Sequence, residues 1–390
     1  MRTAIVSFYE AFPPVSGAAS VTYNLAKFLS GERLLIQIGA RSATSESSDG
    51  LRIITLGAAS ENRVFRAASL PHRISAIARE IVHFQPSRVI LEGASWAVYH
   101  LMLLRAIRRI APTLPIIYHA HNVEYLLRLA RNGRAIAAIT GRAEGRLLAQ
   151  CDLATAVSEV DRTHFRELYN VSTALLPNGV DVDRLASVSS GDTDRIRRKY
   201  HVGESALIFS GLYAYPPNRA AVDFLRRDVM PRLTEHIPRA QLIVTGGEVP
   251  QAEPWLVSAG LVPYEDLPAL LTACKVAAVP VFSGSGTRLK ILEAMAAGVP
   301  VVATGKGAEG LGLRHRKHFL LANDKQEFVD AIAAIFETSS MAANLRKSAK
   351  QKVSAEFSWR RIVDDFEQAI TRMSIEELPA ELVSFAIPSH

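Results

Sequence analysis

Between Lys275 and Gly310 the chain passes from an apolar run through a glycine-bearing loop into an amphipathic stretch, and out into a second apolar run. Few backbones satisfy that order. Lys275 to Val281, with Pro280 near its end, reads as a buried strand. Ser283, Gly284, Ser285, Gly286 and Thr287 then form a loop of small residues. From Arg288 onward the pattern turns helical: Leu289, Leu292 and Ala296, with Ile291 and Met295, recur at spacings of three and four. Gly298-Val299-Pro300 stops that helix, and Val299 to Ala303 reads as the next parallel strand. Strand, glycine loop, helix and strand make one βαβ unit. Its loop leaves backbone N–H groups at a helix N-terminus, where an anion is favoured. Arg288 and Lys290 stand in the first turn, where the helix dipole disfavours cations. A bound anion would explain them, and so would solvation of the pair. Glu293, one and a half turns in, is expected to face the same pocket.

The same alternation runs through the chain. Thr3 to Phe8 reads as a buried strand, followed by a turn-rich segment with Gly17 and a helix from Val21. Strands are predicted over 34–39, 52–56, 88–91, 115–120, 153–157 and 173–176, with helices over 62–84, 96–110, 132–149 and 159–169. Alternation of this kind makes a parallel sheet with right-handed crossovers the natural solution. Pro177-Asn178-Gly179-Val180-Asp181 carries an Asn-Gly turn signal and closes a first domain. A second begins with the strand Ala206–Ser210 and Gly211, a loop bearing Tyr213, Tyr215, Asn218 and Arg219, and a helix from about Pro217. Strands at 241–245 and 255–258, the segment GLVPYEDLPALLTACK, the central unit, a strand at 318–322 and helices at about 325–336, 341–354 and 357–373 follow. Residues 374–390 read as a loosely held tail.

A chain of 390 residues is long enough for two cores. Cys151 and Cys274 lie far apart with no metal-ligand neighbours at useful spacing, which suits two free thiols better than a disulfide. No run of 18 apolar residues argues for a membrane span, and MRTAIVSFYEAFPP has no long apolar core of a signal peptide, so a cytoplasmic protein is expected. Net charge is +7, and its placement matters more than its size: residues 1–180 carry 20 Lys and Arg against 13 Asp and Glu, while residues 181–390 carry 25 of each. The basic half, rich in arginine, suits an anionic membrane surface or a phosphorylated acceptor, or is a solvated face. Nucleic acid is not expected, because the cations are not interleaved with aromatics and no recognition motif appears. Asp181-Val-Asp183 lies in the linker and Asp192-Thr-Asp194 in a polar segment, so no metal is expected. His119, His121, Asn122 and Glu124 gather where a strand ends. The two histidines are expected to point to opposite faces, which weighs against a metal pair.

The block from Phe282 to Gly310 resembles the donor-binding core of retaining, GT-B-type glycosyltransferases of the family 4 group, in a bacterial polysaccharide-biosynthesis form. The resemblance covers about residues 1–373. It implies an α/β, GT-B fold of two Rossmann-like parallel-sheet domains facing a central cleft. Residues 1–180 would form the acceptor side and 181–358 bind the nucleotide-sugar donor; 359–390 would hold a helix crossing back, plus the tail. The implied activity is transfer of a sugar from a UDP- or GDP-linked donor to a glycan or lipid-linked acceptor, with retention and without cofactor or metal. The enzyme would sit in the cytoplasm or peripherally on the inner membrane face.

By the same resemblance, Glu293 hydrogen-bonds the ribose, and His121 meets the hydroxyls of the donor sugar. Arg288 and Lys290 neutralise the diphosphate, making His121, Arg288 and Glu293 the catalytic set. Gly17, Gly211, Asn218 and Val262 line the donor, with backbone N–H groups of Ser285, Gly286 and Thr287. Ser285 replaces a first glutamate that many members carry, and the Tyr213–Arg219 loop lacks the usual Arg and Lys. Two other readings follow from those departures: a GT-B NDP-sugar epimerase, and a degenerate member that binds a nucleotide or partner without catalysis.

Overall fold

The computed structural model describes residues 1–46, 49–57, 63–93, 96–250, 253–283 and 289–373. The predicted tail lies outside them. Two compact units result: Met1–Pro14 with Ala18–Pro177 and Ile362 onward, and Asn178–Arg361 with Val15–Gly17.

The first unit runs β1 (Arg2–Ser7), α1 (Gly17–Phe28), β2 (Glu32–Gly39), β3 (Ala43–Glu46), β4 (Leu51–Gly57), α2 (Arg63–His83) and β5 (Arg88–Gly93). It continues with α3 (Ala97–Ile110), β6 (Ile116–Ala120), α4 (Glu124–Asn132), α5 (Arg134–Gln150), β7 (Leu153–Ala156), α6 (Glu159–Tyr169) and β8 (Ala174–Leu175). Its eight described strands lie in the order β3-β4-β2-β1-β5-β6-β7-β8. All pairings are parallel except β3 with β4. The central strands are apolar and buried along their length because helices cover both faces, which is the rule for parallel sheets. β3, unforeseen from the sequence, is an edge strand whose four residues are all exposed and mostly polar.

The second unit holds α7 (Val182–Ala186), α8 (Ser190–Tyr200), β9 (Ala206–Phe209) and α9 (Pro216–Phe224). α9 passes through a π-helical turn at Leu225–Val229 into α10 (Met230–His236). Then come β10 (Gln241–Val244), β11 (Leu256–Ser258), α11 (Leu267–Ala273), β12 (Val276–Val279), α12 (Leu289–Ala296), β13 (Val301–Ala303), β14 (Leu320–Leu321), α13 (Lys325–Glu337) and α14 (Ser339–Glu356). The six described strands, in the order β11-β10-β9-β12-β13-β14, are all parallel. α8 replaces what reads as a polar connection. Ser189 caps it by accepting from Asp192 N–H, and its one buried residue, Ile196, anchors it.

The last helix, α15 (Trp359–Met373), starts in the second unit and ends in the first. The Trp359 side chain is fully buried, and the residue's backbone N–H donates to the Val180 carbonyl at 3.1 Å. Further along, Glu367 pairs with the buried Arg88 of β5 and accepts from the Ser30 N–H at 3.2 Å. Cys151 and Cys274 are both free thiols, and burial pushes each up to about 12.

Candidate active site

In the second unit, the loops at the carboxyl ends of three neighbouring strands interlock through glycine. Gly246, at φ +91°, lies so close to the next loop that a Cβ there would sit 2.3 Å from the Gly211 carbonyl oxygen. Its own N–H donates to the Gly260 carbonyl (2.8 Å), and its carbonyl accepts from the Tyr213 N–H (2.9 Å). Only glycine permits both the backbone angle and the approach. Open α/β sheets bind their ligands at this edge.

Two polar side chains converge on Gly211. The Lys290 ammonium, from the first turn of α12, donates to Asn218 Oδ1 at 2.7 Å, and Asn218 Nδ2 donates to the Leu212 carbonyl at 2.8 Å. A Cβ on Gly211 would lie 2.7 Å from Lys290 Nζ and 3.0 Å from Asn218 Nδ2. The ammonium also stands 4.1 Å from the Phe209 ring centroid. Thus Gly211, Asn218 and Lys290, far apart in sequence, meet at one point.

α12 explains why these groups face outward. Leu289, Ile291, Leu292, Ala294, Met295 and Ala296 are buried, which leaves Lys290 and Glu293, one turn apart, as a half-buried polar edge. Burial raises the pKa of Glu293, and the Arg184 and Lys290 cations oppose that rise without cancelling it. Arg184 belongs to α7, whose first turn Asp181 caps by accepting the Arg184 N–H. The Arg184 guanidinium lies 3.7 Å above the Tyr264 ring and donates to the Tyr264 carbonyl at 2.7 Å. Val262 is half-buried on the same loop, and the loop's end is fixed by Asp266, which accepts from Arg195 (2.9 Å) and Lys199 (2.6 Å). Gly17 opens α1 and groups with the second unit. Ser285, Gly286, Thr287 and Arg288 lie outside the described residues.

His121 lies in the first unit, and its environment departs from the sequence reading. His119 and His121 do not point apart. Residues two apart along a strand share a face, and both rings reach one carboxylate. His119 Nδ1 is 3.1 Å from Glu92 Oε1, and His121 Nε2 is 2.8 Å from Glu92 Oε2. The rings pack edge to face at 4.8 Å. Thr22 donates its hydroxyl to Glu92 Oε2 at 2.7 Å, and Tyr9 lies 2.6 Å beyond Thr22. Burial pushes the Glu92 pKa up, but the two imidazoles outweigh it and hold the carboxyl well below its usual range. Glu92, His119 and His121 are also a set of three buried groups that could ligate a metal ion.

Glu92, not singled out from the sequence, carried one signal, a lone carboxylate ending an apolar strand run, and its pairing with the two histidines left none. Glu124, at the end of the His-Asn-Val-Glu run, has a structural task. Its carboxylate accepts the Trp96 and Ala97 N–H groups (2.9 and 2.8 Å) at the start of α3. Glu144 does the same for α4, accepting the N–H groups of Glu124 (2.7 Å) and Tyr125 (3.0 Å) and the Tyr169 hydroxyl (2.6 Å).

Comparison with known proteins bears on the family and the fold. Residues 15–184 match the family model Glycosyltransferase Family 4, and residues 204–338 match Glycosyl transferases group 1. A GDP-mannose-dependent alpha-(1-6)-phosphatidylinositol monomannoside mannosyltransferase of Mycobacterium tuberculosis is 26% identical over 230 residues. That match covers 53% of this chain and 58% of the relative, so the chain spans a little over half the relative's length. Among solved structures, sucrose-phosphate synthase from Thermosynechococcus elongatus superposes with a TM-score of 0.71 at 18% identity, covering 96% of this chain and 99% of that one. HepE from Anabaena, solved with UDP-glucose, gives 0.68 at 18% identity, covering 95% and 100%. Two parallel-sheet units, that likeness of fold and the two family matches lead to one assignment: the chain belongs to the family 4, group 1 glycosyltransferases and has the GT-B fold.

Proposed function

We propose that this protein transfers a sugar from a nucleotide-diphosphate sugar to a glycan or lipid-linked acceptor, with retention at the anomeric carbon. The observation that carries the reading is the convergence of Lys290, Asn218 and Gly211 at the carboxyl edge of the second sheet. A cation in the first turn of a helix works against the helix dipole; a diphosphate bound there turns that cost into a gain. As the glycosidic bond breaks, negative charge grows on the departing diphosphate, and a fixed ammonium lowers the energy of that state. Asn218 holds the ammonium in place, and Gly211 lets a phosphate approach the backbone closely. Arg288 and the N–H groups of Ser285 to Thr287 are proposed to complete the cradle.

Glu293, on the same edge of α12, is assigned to the ribose hydroxyls, and Val262 to the neighbourhood of the base. His121 meets the hydroxyls of the transferred sugar. The donor's own phosphate oxygen assists the incoming acceptor hydroxyl, so the reaction proceeds without a protein base, cofactor or metal. GDP-mannose and UDP-glucose are the donors to test first, since the mannosyltransferase relative is named for the former and HepE was solved with the latter.

The acceptor is assigned to a membrane setting, with the protein peripheral on the cytoplasmic face. Support comes from the basic first half and from the outer face of α5, where Ile136 (48% exposed) and Ile139 (61% exposed) stand among exposed Arg134, Arg142 and Arg146. Apolar residues flanked by arginines suit an anionic lipid surface. No helix among the described residues is long and apolar enough to cross a membrane.

The test is transfer of labelled sugar from GDP-mannose or UDP-glucose to lipid-linked and glycan acceptors. Lys290→Ala should lower kcat/KM about 100-fold, the usual loss when one charge-stabilising donor is removed. Unchanged turnover in that variant would refute the assignment of the diphosphate site. Interconversion of free NDP-sugars without transfer would favour the epimerase, and binding of UDP or GDP without turnover would favour the non-catalytic reading.

A further inference from the structure

Arg184, on α7 of the second unit, acts on both places assigned above to the nucleoside, the loop bearing Val262 and the carboxyl of Glu293. Its backbone is fixed from two sides: Asp181 accepts its N–H at 3.1 Å, and the next residue, Leu185, is buried. From there the guanidinium carbon stands 3.7 Å from the centre of the Tyr264 ring, and Nη1 donates to the Tyr264 carbonyl at 2.7 Å. Its Nε is buried with no hydrogen-bond partner among the described residues, so the ring and the carbonyl are what hold the side chain. The same cation pulls the buried Glu293 carboxyl toward its ionised form.

The loop that Arg184 grips is already tied at both ends. The Gly260 carbonyl accepts from the Gly246 N–H at 2.8 Å, and Asp266 accepts from Arg195 and Lys199. Between those ties Leu261 is exposed and Val262 half-buried. Pro263 fixes its own φ and confines Val262 to extended backbone, so the aim of the Val262 peptide depends on where Tyr264 is held. Arg184 holds it there. A lysine would bring the charge but not the planar face that stacks on a ring.

We propose that Arg184 is a positioning residue for the donor's nucleoside: through Tyr264 it aims the backbone at Val262 toward the base, and its charge serves as counter-ion to Glu293 at the ribose. This rests on the sugar-transfer reading and deepens it. Among the described residues, the cations that act on Glu293 are Arg184 from α7 and Lys290 from α12 itself. Of the other elements against α12, β12 and β13 carry no titratable side chain, and α14 brings Arg346 to Gly298, beyond the helix's far end. On α7, Asp183 is exposed and pairs with Arg360 at 3.5 Å.

The test is calorimetric titration of the full chain with UDP-glucose and GDP-mannose between pH 5 and 8. Both phosphates of these donors are esterified and stay ionised throughout, so any pH dependence belongs to the protein. Arg184→Met should weaken binding about tenfold, as for one charge-assisted hydrogen bond. Its affinity should also begin to fall at a higher pH than in the native protein, because Glu293 has lost one of its two opposing cations and takes up a proton sooner. Arg184→Lys keeps the charge and loses the stacking, so it should weaken binding about threefold with the native pH profile. In transfer assays the loss should fall on KM rather than kcat, since binding is weakened equally before and during bond breaking. Pyrophosphate, which has neither base nor ribose, should bind Arg184→Met as it binds the native protein.

Native affinity in Arg184→Met overturns the proposal, and so does a pH profile of that variant that superposes on the native one. A shifted profile in Arg184→Lys overturns it too, because the charge would then not be the cause. Equal losses of pyrophosphate and nucleotide-sugar affinity would show that Arg184 merely holds the unit together. If nucleotide sugars bind and the variants behave as expected but no sugar is transferred, the transfer reading is the part that fails. If transfer proceeds and the variants bind like the native protein, only the role of Arg184 falls.

Discussion

At the scale of single residues, a turn of α12 places two functional groups on one edge. Glu293 and Lys290 are both ionisable, but burial acts on the carboxyl, raising its pKa against the pull of two nearby cations. In the role proposed for it, the carboxylate accepts from two hydroxyls of a bound ribose, and as a neutral acid it loses part of that capacity. Donor binding should therefore weaken as pH falls through the raised pKa. Glu293→Gln should bind GDP-mannose or UDP-glucose about tenfold more weakly at neutral pH, the loss expected for one hydrogen bond to a charged group, and should show little pH dependence. Calorimetric titration between pH 5 and 8 checks both. Sequence revealed the helix and its polar edge, because apolar spacing alone decides which positions turn outward. It could not reveal that Lys290 rests on Asn218, since nothing in the local pattern of either segment points to a partner 72 positions away. The histidine pair was misjudged for a simpler reason. Alternation along a strand has a period of two, so His119 and His121 had to share a face.

At the scale of elements, the two faces of α5 make separate demands. The outer face of α5 carries Ile136 and Ile139 in water, and single exposed substitutions usually change stability by less than about 0.5 kcal/mol. Ile136→Glu with Ile139→Glu should leave melting unchanged but abolish cosedimentation with phosphatidylglycerol vesicles. The native protein should bind at low ionic strength and release as salt is added. Full binding by the double variant would remove α5 as the docking face.

The inner side of α5 holds Glu144, whose pKa is raised to about 7 because burial outweighs its hydrogen bonds. A carboxyl with a raised folded-state value keeps its proton longer in the folded than in the unfolded chain. Folding stability is then lost as pH climbs from the ordinary carboxylate range to about 7. Glu144→Gln lacks that term, so its stability relative to the native protein should improve by on the order of 3 kcal/mol between pH 4 and 8. Denaturant melts across that range measure it, and a pH-independent difference would disprove the assignment. α8 and β3 were missed for physical reasons. One has a single buried residue, Ile196, and the other has none, so neither leaves a periodic signal.

For the whole molecule, the alternating apolar and amphipathic stretches made the two parallel sheets legible, because strands covered on both faces are apolar throughout. Legible too was an amphipathic last helix; the Arg88–Glu367 contact along it was not. Arg88 is 3% exposed and pairs with Glu367, while burial lowers the arginine's pKa against the opposing pull of that glutamate. Glu367→Ala should cost about 3–5 kcal/mol, the usual result of stranding a buried charge. Arg88→Met together with Glu367→Leu should recover most of the loss. Equal melting temperatures for native and Glu367→Ala proteins would show that the pair contributes little.

That pairing joins residues 279 positions apart in the sequence, and so bears on the order of events during synthesis. Asn178 to Arg361 is nearly self-sufficient, and can close as soon as it leaves the ribosome. The unit that holds Arg88 starts before that segment yet must wait, with Arg88 unneutralised, until residue 367 emerges. The unit that begins earlier is thus finished after the other, and a ribosome stalled before α15 would hold a closed second unit and an unsealed first one.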